Sequence, residues 1–233
     1  MKFKIATPIF QKFPKLCIGV IVAKNIDNAG SHKKIDTLVE GVERYIQLTF
    51  TPKDLAKHPL ISPWRTAYSE FGSKPSKFPS SIEAMTKRIL SGKKIPRVNK
   101  LVDLYNYLSL KHMIPLGAYD MDKIDGNIFL TNARGTEVFV PLNTDEIENP
   151  EPGEIVYKDD RKILCRRWNY RDSNSSKTTE ETKNAVLFVE GIPPIDASKV
   201  EEVCKEIVDL IRAFCSGDIA YSIVDIVNNE LEI

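Results

Sequence analysis

The chain has 233 residues, 42% hydrophobic and 28% charged, with a formal net charge of +1. That length can bury one sizeable core, and the composition is that of an ordinary globular protein. Near-neutral charge argues against a protein that coats nucleic acid indiscriminately, and no apolar run is long enough to span a membrane.

The N-terminal "MKFKIATPIFQKF" is weakly apolar, broken by Pro8 and Gln11, and has no small-residue cleavage site, so it does not read as a signal peptide. Residues 16–26, "LCIGVIVAKNI", are continuously apolar and β-branched, the mark of a buried strand. Ile35, Leu38, Val39, Val42 and Ile46 then recur at three-and-four spacing, which predicts an amphipathic helix. A short helix follows "TPKD", and "PWRTAYSEFG" predicts a helical segment ending at Gly72. Ser80 and Glu83 form a capping-box pattern that starts a helix over about 81–91, and a further helix covers about 98–111.

From Leu116 the texture changes to short strands: "LGAY", "NIFLTNA", a turn at Arg134-Gly135, "EVFVPL", "GEIVYKD", "KILCRRW" and "NAVLFVEG". A long helix begins at Ser198, and "IAYSIVDIV" is a last strand. Strand, helices, many strands, helix, strand is an α+β order without βαβ alternation. Cys17, Cys165, Cys204 and Cys215 are widely spaced among apolar neighbours, which predicts buried free thiols and a cytoplasmic location.

Charge is unevenly distributed. Between Lys74 and Lys100 eight basic residues face one acid, Glu83, a net of +7; between Asp145 and Asp160 seven acids face Lys158, a net of −6. Such an asymmetry can steer a polyanion onto one face, although charge runs are also the usual dress of solvated surface. No Gly-rich phosphate loop is present. His32, His58 and His112 stand apart, with no metal-ligand spacing and no nucleophile elbow, so neither a metal nor another cofactor is expected.

Two stretches stand out chemically. "CRRWNYRDS" gathers Arg166, Arg167, Trp168, Asn169 and Arg171 before the polar "SNSSK". Guanidiniums grip phosphate and aromatic rings stack on bases, and strand alternation would turn Arg166 and Trp168 one way, Arg167 and Asn169 the other. The bland alternative is a salt-bridged strand. The other stretch is "IPRVNKLVDLYNYLSLKHMIPLGAYDMDKIDGNIFL", residues 95–130. Asn99, Val102, Asp103, Asn106, Tyr107, Pro115, Leu116, Tyr119, Asp120, Asp122, Lys123 and Gly126 fall there in order and spacing that resemble the B3/B4 tRNA-editing module of the phenylalanyl-tRNA synthetase beta subunit. With the flanking pieces, the resemblance extends over about residues 10–220 and looks like the free-standing members of that family.

The resemblance implies an α+β fold of two intertwined subdomains around a β-sandwich-like core with flanking helices, and one domain over 1–233. It implies a trans-editing hydrolase that cleaves the ester of misacylated tRNA, not a ligase. The alternatives are a non-catalytic tRNA or RNA binder, or a binder or hydrolase of another amino-acid-bearing molecule. The implied partner is the acceptor end of a tRNA, with weak association with a synthetase as a further expectation.

Carried over position by position, Asn106 and Glu190 are the expected catalytic residues. Arg65, Tyr105, Gly117, Tyr119 and Asp120 are expected at the substrate; Gly117 stands where the family has histidine, which leaves the amino acid open. The tRNA is expected on Arg166, Arg167, Trp168, Asn169 and Arg171, with Lys93, Lys94 and Arg97 of the basic run, and "SNSSK" as a lid or entrance. Structural duties are the competing reading throughout: Tyr105 as core, Asp120 and Asp122 as turn formers, Arg65 paired with an acid.

Overall fold

The apolar run at 17–24 is the middle of the molecule, and every layer is built outward from it. In the computed structural model, which describes residues 1–233, the strands are β1 Lys2–Ile5, β2 Cys17–Lys24, β3 Leu116–Asp120, β4 Ile128–Asn132, β5 Ile155–Lys158, β6 Ile163–Arg166, β7 Arg171–Asp172, β8 Ala185–Gly191, β9 Asp218–Val224 and β10 Glu230–Glu232. The helices are α1 Thr7–Lys12, α2 Lys33–Thr49, α3 Ser62–Glu70, α4 Ser81–Leu90, α5 Lys100–His112 and α6 Ala197–Cys215.

One sheet has the order β3-β8-β2-β9 and is antiparallel throughout; the other runs β10-β1-β4-β5-β6-β7, with β1 and β4 parallel. The chain leaves the larger sheet after β1, returns for β4 to β7, leaves for β8 and β9, and returns for β10, so the two halves are interleaved. Alternation along β8 explains the layering. Leu187 and Val189 face a core shared with α2, α5 and α6, while Val186 and Phe188 face a core shared with Phe3, Ile128, Leu130 and Tyr157 of the larger sheet. The result is helices on sheet on sheet, an α+β sandwich.

Several expectations change here. "EVFVPL" is not a strand: it makes isolated bridges at Val138, Phe139 and Pro141, and β4 pairs with β5 instead. Pro141 has no N–H for a ladder. The capping box before α4 does not form, because Glu83 is fully buried in ion pairs with Arg65 and Lys87 at 2.6 Å each, and Ser80 Oγ has no partner. The N-terminus supplies β1 and α1, and β1 pairs with β10 at the opposite end of the chain. "SNSSK" is packed rather than lid-like: Ser173 and Ser176 are buried, and the Ser176 carbonyl accepts from the Asp120 N–H.

The greatest departure is at 166–170. Arg167 and Trp168 both adopt positive φ, 47° and 66°, so the chain turns tightly between β6 and β7 and does not alternate. Bulky residues in that region cost on the order of 1–3 kcal/mol each. The strain is offset where the Trp168 side chain, fully buried, packs edge-on against Phe13 and Trp64, and where the Trp168 backbone N–H donates to the Ile155 carbonyl.

Candidate functional site

Strand β8 continues its inward alternation Val186, Phe188 into a carboxylate, Glu190, only 3% exposed between the sheets. Tyr157 Oη donates to its Oε1 at 2.6 Å and Asn169 Nδ2 donates to its Oε2 at 2.5 Å. Asn169 is itself oriented by the Tyr68 hydroxyl, 2.8 Å from its Oδ1. Burial pushes the Glu190 carboxyl up to about 7 against the pull of these donors.

The carboxyl faces a chamber of about 30 Å³ that Gly117, Tyr119, Cys165 and Trp168 also line. That volume holds one or two waters. Beyond its own chain neighbours, no atom lies within 4 Å of where a Cβ on Gly117 would stand, so that position is open. Ser81 Oγ, also on its wall, is buried without a hydrogen-bond partner, and the Trp168 indole N–H, near enough to Glu190 to draw its pKa down, completes no hydrogen bond of good geometry.

A larger cavity of about 400 Å³ adjoins the chamber at Asp172, which lines both. Its walls are Asn99, Val102 and Tyr105 of α5, Ala118 of β3, Leu142 and Asn143, and the loop at 177–180. Two amides hold these walls together. Asn99 Oδ1 caps α5 by accepting from the Val102 N–H at 3.0 Å, and Asn28 Oδ1 accepts from the Leu101 N–H at 2.8 Å. The same amides reach the loop, Asn28 Nδ2 to the Thr179 carbonyl at 2.7 Å and Asn99 Nδ2 to that of Thr178 at 3.4 Å.

Asp172 stands opposite Cys165 in the β6–β7 pair. It keeps part of its surface open to the cavities while its carboxyl sits among protein atoms, and burial raises its pKa to about 6. Burial first, and the Asp172 charge second, push the Tyr105 phenol up. Two carboxyls that burial raises toward neutrality, Asp172 on the wall of both cavities and Glu190 in the smaller one, are suited to taking up and returning a proton.

The expected site residues are divided by the fold. Glu190, Gly117, Tyr119 and Asn169 come together in the small chamber, and Tyr105 lines the large cavity. Asn106 lines neither. Asp120 is buried as a turn former: it accepts from the Asp122 N–H and the Thr182 hydroxyl and pairs with Lys123 at 3.0 Å. Arg65 is held by Glu83, away from both cavities.

Arg166 is corrected from RNA contact to core: Nε and Nη2 fork onto Glu154 at 3.0 and 2.8 Å, and Nη1 reaches Glu148 at 2.8 Å. Trp168, wholly enclosed, is likewise unavailable for base stacking. Arg171 lies beside the large cavity, 3.5 Å from the Leu142 carbonyl. Lys93 is exposed and unpaired, Lys94 lies 3.5 Å from Glu40, and Arg97 pairs with Asp36 at 3.3 Å just before Val98 on the cavity wall. Sequence reasoning missed Asp172 as a site residue, and missed Tyr157 and the 177–180 loop.

A family model described as the B3/4 domain matches residues 63–216, two thirds of the chain. The chain belongs to the B3/4 domain family. The matched range carries both cavities, but the β2 strand at the middle of its smaller sheet comes from outside that range.

Among relatives, the phenylalanine–tRNA ligase beta subunit of Fusobacterium nucleatum is 24% identical over 152 residues, 55% of this chain and 19% of that protein. The beta subunit of Chromobacterium violaceum is 35% identical over 82 residues, 35% of this chain and 10% of that one. The B3/4 chain thus spans a fifth or less of the curated relatives it matches. An N-terminal fragment of the phenylalanyl-tRNA synthetase beta subunit from Pyrococcus horikoshii aligns with 93% of this chain and 49% of its own, at 14% identity and a TM-score of 0.48.

Proposed function

We propose that this B3/4 protein hydrolyses the ester of misacylated tRNA in trans. The aminoacyl group occupies the 400 Å³ cavity, and the tip of its side chain or an ordered water occupies the chamber at Glu190. The terminal nucleotides lie across the mouth, where Lys177 and Arg171 supply positive charge and Lys93 and Lys94 extend it. The observation that carries the reading is the junction itself: a carboxyl with pKa about 6, Asp172, between an amino-acid-sized hollow and a water-sized one.

In the ionised state Asp172 takes a proton from water as the oxygen attacks the ester carbonyl. The tetrahedral intermediate then expels the ribose oxygen, which recovers the proton from Asp172, leaving free amino acid and a tRNA with its terminal hydroxyl restored. An aminoacyl ester is already activated, so one positioned base in a partly dry pocket suffices. Glu190 is the specificity group, protonated or ionised according to what reaches it.

Burial of Arg166 and Trp168 removes two RNA-facing groups and favours a second reading, action on a smaller amino-acid-bearing molecule. A panel of L- and D-aminoacyl-tRNAs, with ester loss followed over time, separates the two. The proposal predicts loss on a subset of the panel; no loss on any member, with loss from small aminoacyl esters, points to the second.

A further inference from the structure

On the other side of the 166–170 turn lies a separate cavity of about 520 Å³. Arg167 projects into it with its guanidinium 3.7 Å above the Phe78 ring, and Lys74 and Lys77 stand exposed on its rim without ion pairs. The carboxylate nearest Arg167 is Glu154 at 3.7 Å, but that group is already taken by the Arg166 fork. Glu151 is the other acid on the wall, so three cations face two carboxylates, one of them already engaged by Arg166. Burial, only partly offset by Glu154, lowers the Arg167 pKa, as expected of a cation short of counter-charge. Ser73 Oγ, on the same wall and more than nine-tenths buried, has no hydrogen-bond partner. The strained turn that presents Arg167 is the kind of backbone that concentrates at ligand sites.

We propose that this cavity is a binding site for the phosphate group of a nucleotide, with Arg167, Lys74 and Lys77 as the anion receptor and Ser73 as a hydroxyl donor. A planar guanidinium backed by an aromatic ring matches a phosphate fork, and the volume accommodates a nucleotide. The phosphate can belong to a free nucleotide or to an RNA strand. The site is independent of Asp172, so failure of the hydrolysis reading leaves it standing. The two regions meet at the turn, where the Ser81 N–H donates to the Asn169 carbonyl and Phe78 packs on Tyr170.

Calorimetric titration of the intact protein with adenosine monophosphate, with adenosine, and with a short single-stranded RNA tests the proposal without turnover. Lys74→Ala/Lys77→Ala changes only exposed side chains, and Arg167→Gln is read beside it. The proposal expects adenosine to bind no better than background and the double variant to lose at least about fivefold in affinity for one of the two phosphate ligands. If the RNA is the ligand, the slope of log affinity against log salt falls by about 1.4, two contacts at about 0.7 each. A loss confined to adenosine monophosphate identifies the free nucleotide as the source. Equal affinities in wild type and double variant, or no binding of either phosphate ligand, would overturn it.

Discussion

The 166–170 turn and strand β8 invert what their sequences advertise. The turn displays charge and aromatic rings, yet Arg166 and Trp168 spend them inward, on Glu154 and on a cluster with Phe13 and Trp64. Strand β8 reads as plain core, yet its inward row ends in Glu190, the carboxyl that burial holds near neutrality. Where one polar group interrupts an apolar row, the protein must provide for it with donors such as Tyr157 and Asn169. Where polar groups accumulate, they mostly satisfy one another.

The sharpest way to break this contrast is Asp172→Asn, which keeps the shape of the junction and removes the base. Ester hydrolysis should fall about 10²- to 10⁴-fold in a single-turnover assay, with tRNA affinity unchanged. Next comes Trp168→Ala. Loss of a fully buried indole should cost about 3–5 kcal/mol in urea unfolding. An unchanged midpoint with weakened RNA binding would return Trp168 to the surface role that its sequence suggests.

Glu190→Gln tests the other half of the contrast through pH. The unfolded chain releases this proton near 4.5 and the folded protein near 7, so between those values the folded state binds more protons and stability falls as pH rises. The variant lacks the penalty. Its stability relative to wild type should therefore climb from nothing near pH 4 to on the order of 2–3 kcal/mol above pH 7. A flat difference across thermal melts at several pH values contradicts the buried, poised carboxyl. The smallest effect belongs to Lys93→Ala/Lys94→Ala: stability should move by less than about 0.5 kcal/mol, while the salt slope of tRNA binding drops by about 1–2.

Much of the frame was legible in the sequence. The β-branched run of β2, the three-and-four spacing of α2, and the helices over about 98–111 and from Ser198 each follow from local rules, and the structure has them within a few residues. The pairing of β1 with β10 was not legible, since strands of four and three residues 228 apart leave no local signal. The α4 capping box failed because Arg65, on another helix, competes successfully for Glu83.

The family resemblance singled out Gly117 and Glu190, which the fold brings to one chamber, while Asn169, expected at the RNA, instead lines that chamber and holds Glu190. Asp172 was not singled out, for it sits on a two-residue strand, and its environment comes from Cys165 across the pair and from burial between layers. Arg166 misled for a related reason. Its partners, Glu148 and Glu154, lie in the acidic run that looked like an exposed opposite pole.

The pH dependence of ester loss, measured on one susceptible aminoacyl-tRNA with the uncatalysed rate subtracted, bears most directly on the junction as the seat of hydrolysis. The wild type should rise with pH through an inflection near 6, the value to which burial lifts Asp172, and then level off, while Asp172→Asn shows no such inflection. A rate that climbs steadily with hydroxide and is the same in both proteins would place the chemistry elsewhere.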